Sequence, residues 1–199
     1  TEPLMDGLYQ ISGGTVEFGY DGITPQNIKG GNTHLYQNII FTGNSVYNSN
    51  TNIHLNPNGT FTIKDTGVFT INSECIFGAG TAANPQTFTM ESGAVMNVGN
   101  ELGFYGPLSG LNSPAVRDNI ENVVLQPNST INYYRSNPPL AGTGAQVVTT
   151  SHPYQHLIFS GTGMKSPAPG ATLEIKGNLT KAGTTASFGH NEGTVLLSG

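Results

Sequence analysis

Apolar and polar residues alternate with a period of two in short segments along the whole chain. In Gly14-Thr15-Val16-Glu17-Phe18, Val16 and Phe18 fall on one side and Thr15 and Glu17 on the other, as a strand with one buried face requires. The same pattern recurs at Asn38–Phe41, Thr51–Leu55, Thr60–Ile63, Val68–Ile71, Ala94–Val98, Val123–Leu125 and Thr130–Tyr133. It returns at Gln146–Val148, Leu157–Phe159, Thr172–Ile175 and Thr194–Leu197. Gly, Asn, Pro or Ser bounds each segment, which marks the turns between strands. No window carries a 3.6-residue period, so an all-β fold is predicted.

Part of the chain repeats. Tyr36-Gln37-Asn38-Ile39-Ile40-Phe41-Thr42-Gly43 returns as Tyr154-Gln155-His156-Leu157-Ile158-Phe159-Ser160-Gly161, 118 residues later. Upstream, Gly14–Phe18 parallels Ser129–Tyr133 and Gln26-Asn27-Ile28 parallels Ala145-Gln146-Val147, so residues 14–63 resemble residues 129–180. A third copy begins at Gly193. Within the long repeat, Asn56-Pro57-Asn58-Gly59 and Gln126-Pro127-Asn128-Ser129 each separate two strands. Strand-turn modules of this kind predict a right-handed parallel β-solenoid, in which each coil buries its apolar face against its neighbours. Asn and Thr at the turns are expected to form polar ladders between coils. A β-sandwich of two antiparallel sheets is the competing architecture. Residues 78–92 and 99–119 fit the pattern poorly and read as inserted loops, with a short helical turn near Ser113–Asp118. Residues 1–199 are expected to be one fragment of a longer repetitive solenoid.

Composition sharpens this picture. Threonine (23) and asparagine (21) outnumber the 19 charged residues by more than two to one, and there are 27 glycines and 12 prolines. That mixture disfavours a helical bundle. The net charge is −5, and Lys29, Lys64, Arg117, Arg135, Lys165, Lys176 and Lys181 are scattered, so a nucleic-acid partner is not expected. No apolar run reaches the roughly 20 residues of a membrane-spanning helix. Cys75 is the one cysteine and sits in an alternating segment, which reads as a small buried hydrophobe.

Several groups could carry chemistry. His152 and His156 are four apart, but Pro153 between them breaks any helix that would aim both at one metal, and His152 corresponds to His34 in the first copy. His54 and His190 read as outward strand and turn residues. Stacked coils could pair Glu17 with Asp65, or Glu174 with Glu192, for acid–base work on sugars. Asp118 and Glu121 come nearest to an acidic cluster, with a calcium loop near Asp118 as the metal alternative. Gly13-Gly14, Gly30-Gly31 and Ser160-Gly161-Thr162-Gly163 are turn residues rather than phosphate loops. Tyr20, Tyr47, Tyr133-Tyr134 and Phe104-Tyr105 are candidates for outward aromatic contact with sugars or proteins. No catalytic, cofactor or metal constellation is assigned.

The series Gly-Thr-Val-x-Phe, Gln-x-Ile/Val and Tyr-x-Asn/His-Leu/Ile-x-Phe-Ser/Thr-Gly resembles the repeats of very large Bacteroidetes surface proteins exported by type IX secretion. Gliding-motility adhesins of the SprB kind are among them. The resemblance rests on 14–18, 26–28, 36–44, 129–133, 146–147, 154–162, 173–180 and 193–199. It implies an extracellular, surface-anchored, non-catalytic segment that gives reach. Its partners would be polysaccharide or abiotic surfaces and neighbouring repeats of the same chain. A carbohydrate-active lyase or glycosidase on a β-helix, or a phage fibre segment, are the alternative functions.

Overall fold

The computed structural model describes residues 13–19, 22, 24–28, 35–43, 46–49, 51–78, 83–110, 112–136, 143–183 and 185–199. Tyr20, Lys29, Gly30, Gly31 and His34 lie outside the described residues. The described chain is a parallel β-solenoid of about seven turns, without helix.

Each turn visits three sheet faces. The first holds β1 (Thr15–Gly19), β3 (Leu35–Thr42), the end of β5 (Ile53–Ile63), β8 (Thr87–Met90) and β12 (Asn122–Leu125), paired in that order. It resumes with β17 (Thr172–Ile175) on β20 (Thr194–Leu197). The second face stacks β2 (Gln26–Ile28), β4 (Val46–Ser49), β6 (Val68–Ile71), β9 (Val95–Val98), β13 (Thr130–Tyr133), β15 (His156–Phe159) and β18 (Leu179–Lys181). The third face begins with the first residues of β3 and β5, which bend round a corner, and continues with β7 (Ile76–Gly78). β11 (Val116–Arg117) and β10 (Tyr105–Gly106) follow. It ends in β14 (Gln146–Val147), β16 (Gly163–Ser166) and β19 (Ala186–Phe188).

Period-two alternation places one set of side chains inside, and exact register turns them into columns. Phe18 stacks on Phe41 with ring centroids 5.2 Å apart, and Phe61 on Phe88 at 5.5 Å. Phe41, Phe61 and Phe69 then meet across the interior, at 4.8 to 5.1 Å. Tight turns at the corner from first to second face repeat from coil to coil. Gly67 N donates to Lys64 O, Ala94 N to Glu91 O and Ser129 N to Gln126 O, at 2.8, 3.1 and 3.0 Å. In the last of these, Pro127 and Asn128 (φ 65°) occupy the two central positions of a type II turn.

Polar ladders lie at a turn, where Asn58 Nδ2 donates to Asn84 Oδ1 at 3.3 Å, and also on outward strand positions. Thr60 Oγ1 donates to Asn38 Oδ1 on the first face. On the second face Asn132 Nδ2 donates to Asn97 Oδ1, and Asn97 Nδ2 to Thr70 Oγ1. A strand side chain stands beside its mate one coil away, which brings these amides and hydroxyls within hydrogen-bond reach.

The long sequence repeat is displaced around the coil. β1 and β3 lie on the first face, but their counterparts β13 and β15 lie on the second. β2 lies on the second face and its counterpart β14 on the third. The repeated sequence specifies a strand, a corner and the next strand, and that instruction is the same at any corner.

The stretches expected as inserted loops contain strands. Thr87–Met90 is β8, fully in register between β5 and β12. Within 99–119 the chain makes β10, doubles back through an antiparallel bridge between Ser109 and Asn112, and lays β11 between β7 and β10. Val116 N donates to Phe104 O at 2.7 Å and Ile76 N to Ala115 O at 2.8 Å. The expected helical turn at Ser113–Asp118 is therefore replaced by β11, whose backbone groups are satisfied by strands on both sides. Among the described residues, this level of the stack carries one strand more than the others on the third face.

Candidate ligand-contacting band

The extra strand shapes the surface. Residues 101–105 run beside 147–149: Val147 N donates to Glu101 O at 2.9 Å, and Tyr105 N to Thr149 Oγ1 at 3.3 Å. Beneath Thr149 two buried tyrosines meet, with Tyr133 Oη 2.7 Å from Tyr154 Oη. Tyr154 Oη donates to Thr149 O at 2.7 Å, and Thr149 N donates to Tyr133 Oη at 3.2 Å. Burial pushes both phenols above their ordinary pKa, so the pair remains neutral and the floor of this region is pinned.

Four depressions adjoin one another along this level. The first is a cleft of about 90 Å³ lined by Ser73, Asn100, Glu101, Asn112, Ser113 and Arg135. Glu101 is also a wall of the second, a shelf of about 220 Å³ over Gln146, Val147 and Met164. Val147 continues into the third, about 320 Å³, bounded by Tyr105, Asp118 and Thr149. The fourth, about 260 Å³, lies among Val123, His152, Gln155 and Lys176. Third and fourth meet where the His152 ring sits edge-on to Tyr105, centroids 4.6 Å apart. The band mixes exposed apolar surface (Val147 42%, Met164 53%) with hydroxyl, amide and carboxylate groups. That composition suits a hydroxyl-bearing ligand with apolar C–H faces.

Of the aromatic candidates, Tyr47, Phe104 and Tyr133 are buried in the core, so they are not outward contacts. Each occupies an inward position, and the tyrosine hydroxyls are satisfied internally, Tyr47 Oη by Thr42 O at 2.7 Å. Alternation leaves their neighbours Tyr134 and Tyr105 toward the outside. Tyr134 Oη donates to Asn72 Oδ1, and its pKa is pushed up to about 12 by burial, then by Glu74. Tyr105 donates to Ile120 O at 3.1 Å, and burial, Asp118 and Glu121 raise its pKa.

The histidines part company. His152 contacts Ser151 Oγ at 3.2 Å and faces the band, whereas His156 Nδ1, at the head of β15, accepts from Asn178 N at 2.9 Å. His54 stacks on Phe77 at 4.1 Å, and Arg117 sits 5.7 Å over the Phe77 ring. His190 lies in the turn closed by Gly193 N to His190 O.

The suggested carboxylate pairs occupy separate surroundings. Glu17 has Ile40 as its register mate, and Asp65 lies in the turn after β5. Glu174 accepts from Ser198 Oγ at 2.9 Å, while Glu192 is a turn residue with φ 62°. Glu121 accepts from Gln86 N at 3.0 Å, and Asp118 borders the third depression. Among the described residues no three His, Cys, Asp or Glu side chains group as a metal site. Cys75 is buried, and burial raises its thiol pKa.

Sequence reading did not find Asn100, Glu101 and Arg135. Arg135 Nη1 donates to Gly99 O at 2.8 Å, and Nη2 lies 3.9 Å from Glu101 Oε2. Only the doubling back of 99–119 brings Asn112 and Ser113 against residues 73 and 100. Comparison of the chain with protein-family models, curated proteins and solved structures returned no match, so function is read from this geometry.

Proposed function

We propose that the chain is a non-catalytic structural and adhesive segment of a large extracellular surface protein, supplying reach and contact with polysaccharide. The observation that carries the reading is the band of four adjoining depressions laid along one level of an otherwise regular stack. Its extended form matches an extended ligand, and it rests on a rigid support. About seven turns at about 4.8 Å each give a rod roughly 34 Å long, tied by parallel hydrogen bonds along its length. Outward Asn and Thr ladders keep the remaining surface polar without charge.

The band also carries Glu101 and Asp118, which keeps a carbohydrate-active enzyme as the second reading. The two fall in different depressions, with Val147 between them. The deciding experiment incubates the purified chain with a panel of soluble polysaccharides and measures both retention and release of new chain ends. Retention without release supports the adhesive reading. Release of reducing or unsaturated ends, abolished in Glu101→Gln or Asp118→Asn, would replace it with the enzymatic one.

A further inference from the structure

Asn100, which lines the cleft at the corner between the second and third faces, carries a buried polar atom without a hydrogen-bond partner. Asn100 is 1% exposed, and its Nδ2 donates to Glu74 O at 2.6 Å and Ser113 O at 3.1 Å. Those two carbonyl acceptors fix the amide orientation, so the atom left without a hydrogen-bond partner is the oxygen, Oδ1. A buried acceptor without a donor is costly, and a ligand donor would recover that cost. Beside Asn100 stands Glu101, half-exposed at 52%, with a second set of acceptor oxygens. Asn112 Nδ2 lies 3.5 Å from Glu101 Oε2, and Ser113 Oγ donates to Ser73 O at 3.1 Å.

The charges select among sugars. Arg135 is the cation of the cleft, and it is engaged by Gly99 O and Glu101. Glu74, whose carboxylate accepts from Ser73 N and Oγ, adds further negative charge at the same corner. A uronate carboxylate entering here would meet Glu101 and Glu74, with the guanidinium already taken. A neutral hydroxyl meets no such repulsion and supplies the missing donor. The cleft, at about 90 Å³, admits a hydroxyl or hydroxymethyl group. The ring that carries it would extend over the shelf, where Val147 and Met164 present apolar surface to its C–H face.

We infer that this corner cleft and the adjoining shelf select one residue of a neutral polysaccharide, with Asn100 and Glu101 accepting hydrogen bonds from its hydroxyls. The inference rests on the polysaccharide-contact reading above and names the class of sugar.

The test is calorimetric titration of the intact chain with oligosaccharides of matched length: neutral glucan, mannan, galactan and xylan fragments, polygalacturonate fragments, and chitosan fragments. At least one neutral series is expected to bind. Glu101→Ala, at an exposed position, is expected to weaken it about tenfold or more, as loss of a hydrogen bond to a charged group does. Asn100→Ala, checked for retained β-sheet circular dichroism, should weaken it similarly. Unchanged neutral binding in Glu101→Ala would overturn the site. Binding confined to polygalacturonate or chitosan would overturn the neutral-sugar inference and leave the contact reading standing. Binding of no fragment would overturn both.

Discussion

Lys165 and Gln146 are register mates on the third face, and both point into the protein. Lys165 Nζ donates to Arg135 O, Gly144 O and Thr162 O at 3.0, 2.6 and 2.8 Å, one carbonyl for each ammonium hydrogen. Gln146 Nε2 donates to Val98 O and Asn100 O at 2.8 and 2.9 Å, and its Oε1 accepts from Arg135 N at 3.0 Å. Val98 O, Asn100 O and Arg135 O also accept from the backbone, from Tyr134 N, Gly103 N and Thr162 N at 3.1 Å each. The two long polar side chains therefore add second hydrogen bonds to carbonyls turned inward at this corner. The amide of Asn100 serves the same purpose nearby.

Lys165 should leave a signature in alkaline stability. Burial, and then the Arg135 guanidinium, lower its pKa from 10.5 to about 8. A depressed lysine contributes stability that is complete above the unfolded value and lost as pH falls through the folded one. Cys75, Tyr133 and Tyr154 act oppositely above about pH 9, because burial raises them. Their contributions cancel when wild type is compared with Lys165→Met. The difference in unfolding free energy should therefore shift in favour of wild type by about 1–2 kcal/mol between pH 8 and 10. Urea titrations across that range measure it, and a flat difference would show that Lys165 titrates normally.

Acid should act through His54. Desolvation, and then Arg117, lower its pKa from 6.5, so its contribution is present above pH 6.5 and fades as pH falls through the lowered value. His54→Phe keeps a ring against Phe77 and removes the titration. Its melting temperature is expected to fall less than that of wild type between pH 6.5 and 5. Because His54 is only half-buried, the effect should be a few degrees at most, readable by thermal scans at constant ionic strength.

Gly161 separates two kinds of glycine cost. It has φ 74°, and a Cβ there would lie 2.2 Å from Tyr134 O and 2.4 Å from Arg135 O. Gly183 has φ 84° with nothing within 4 Å of the Cβ position. Gly183→Ala should destabilise by about 1 kcal/mol, from backbone conformation alone. Gly161→Ala must also push two coils apart, and a loss of about 3 kcal/mol or more is expected in denaturant unfolding. Equal losses would mean that the close approach of the coils is relaxed in solution.

Phe61 joins the aromatic columns, with Phe41, Phe69 and Phe88 at 5.1, 5.1 and 5.5 Å. Phe61→Ala should cost about 3–5 kcal/mol, and Phe61→Leu distinctly less, because the smaller cavity can collapse further. Equilibrium unfolding of both variants checks the ordering.

Much of the fold was legible because a solenoid is nearly one-dimensional. Alternation in Thr15–Phe18 or Thr60–Ile63 identifies inward residues, and Pro127-Asn128 or Asn58-Gly59 marks a corner, without knowledge of distant contacts. The aromatic candidates show the limit of this, since Tyr47, Phe104 and Tyr133 prove to be the inward ones. Tyr133-Tyr134 and Phe104-Tyr105 each require one residue out, but local pattern does not say which. The tertiary register decided for Tyr134 and Tyr105 by giving Tyr133 a hydroxyl partner in Tyr154.

The sequence alone carries the all-β class and most strand positions, and it favours stacked coils over a sandwich, since these follow from period-two burial, turn chemistry and repeats. Which face each strand joins was decided by the whole stack: the repeated modules fit any corner, and β13 and β15 settle one face further round than β1 and β3. The band of four depressions was decided there too. It depends on β11 slipping between β7 and β10, a choice made by backbone groups of residues 76, 103–104 and 115–116 that must find partners. Asn100, Glu101 and Lys165 look like ordinary polar residues in the chain, and only that packing gives them an interior or a cleft.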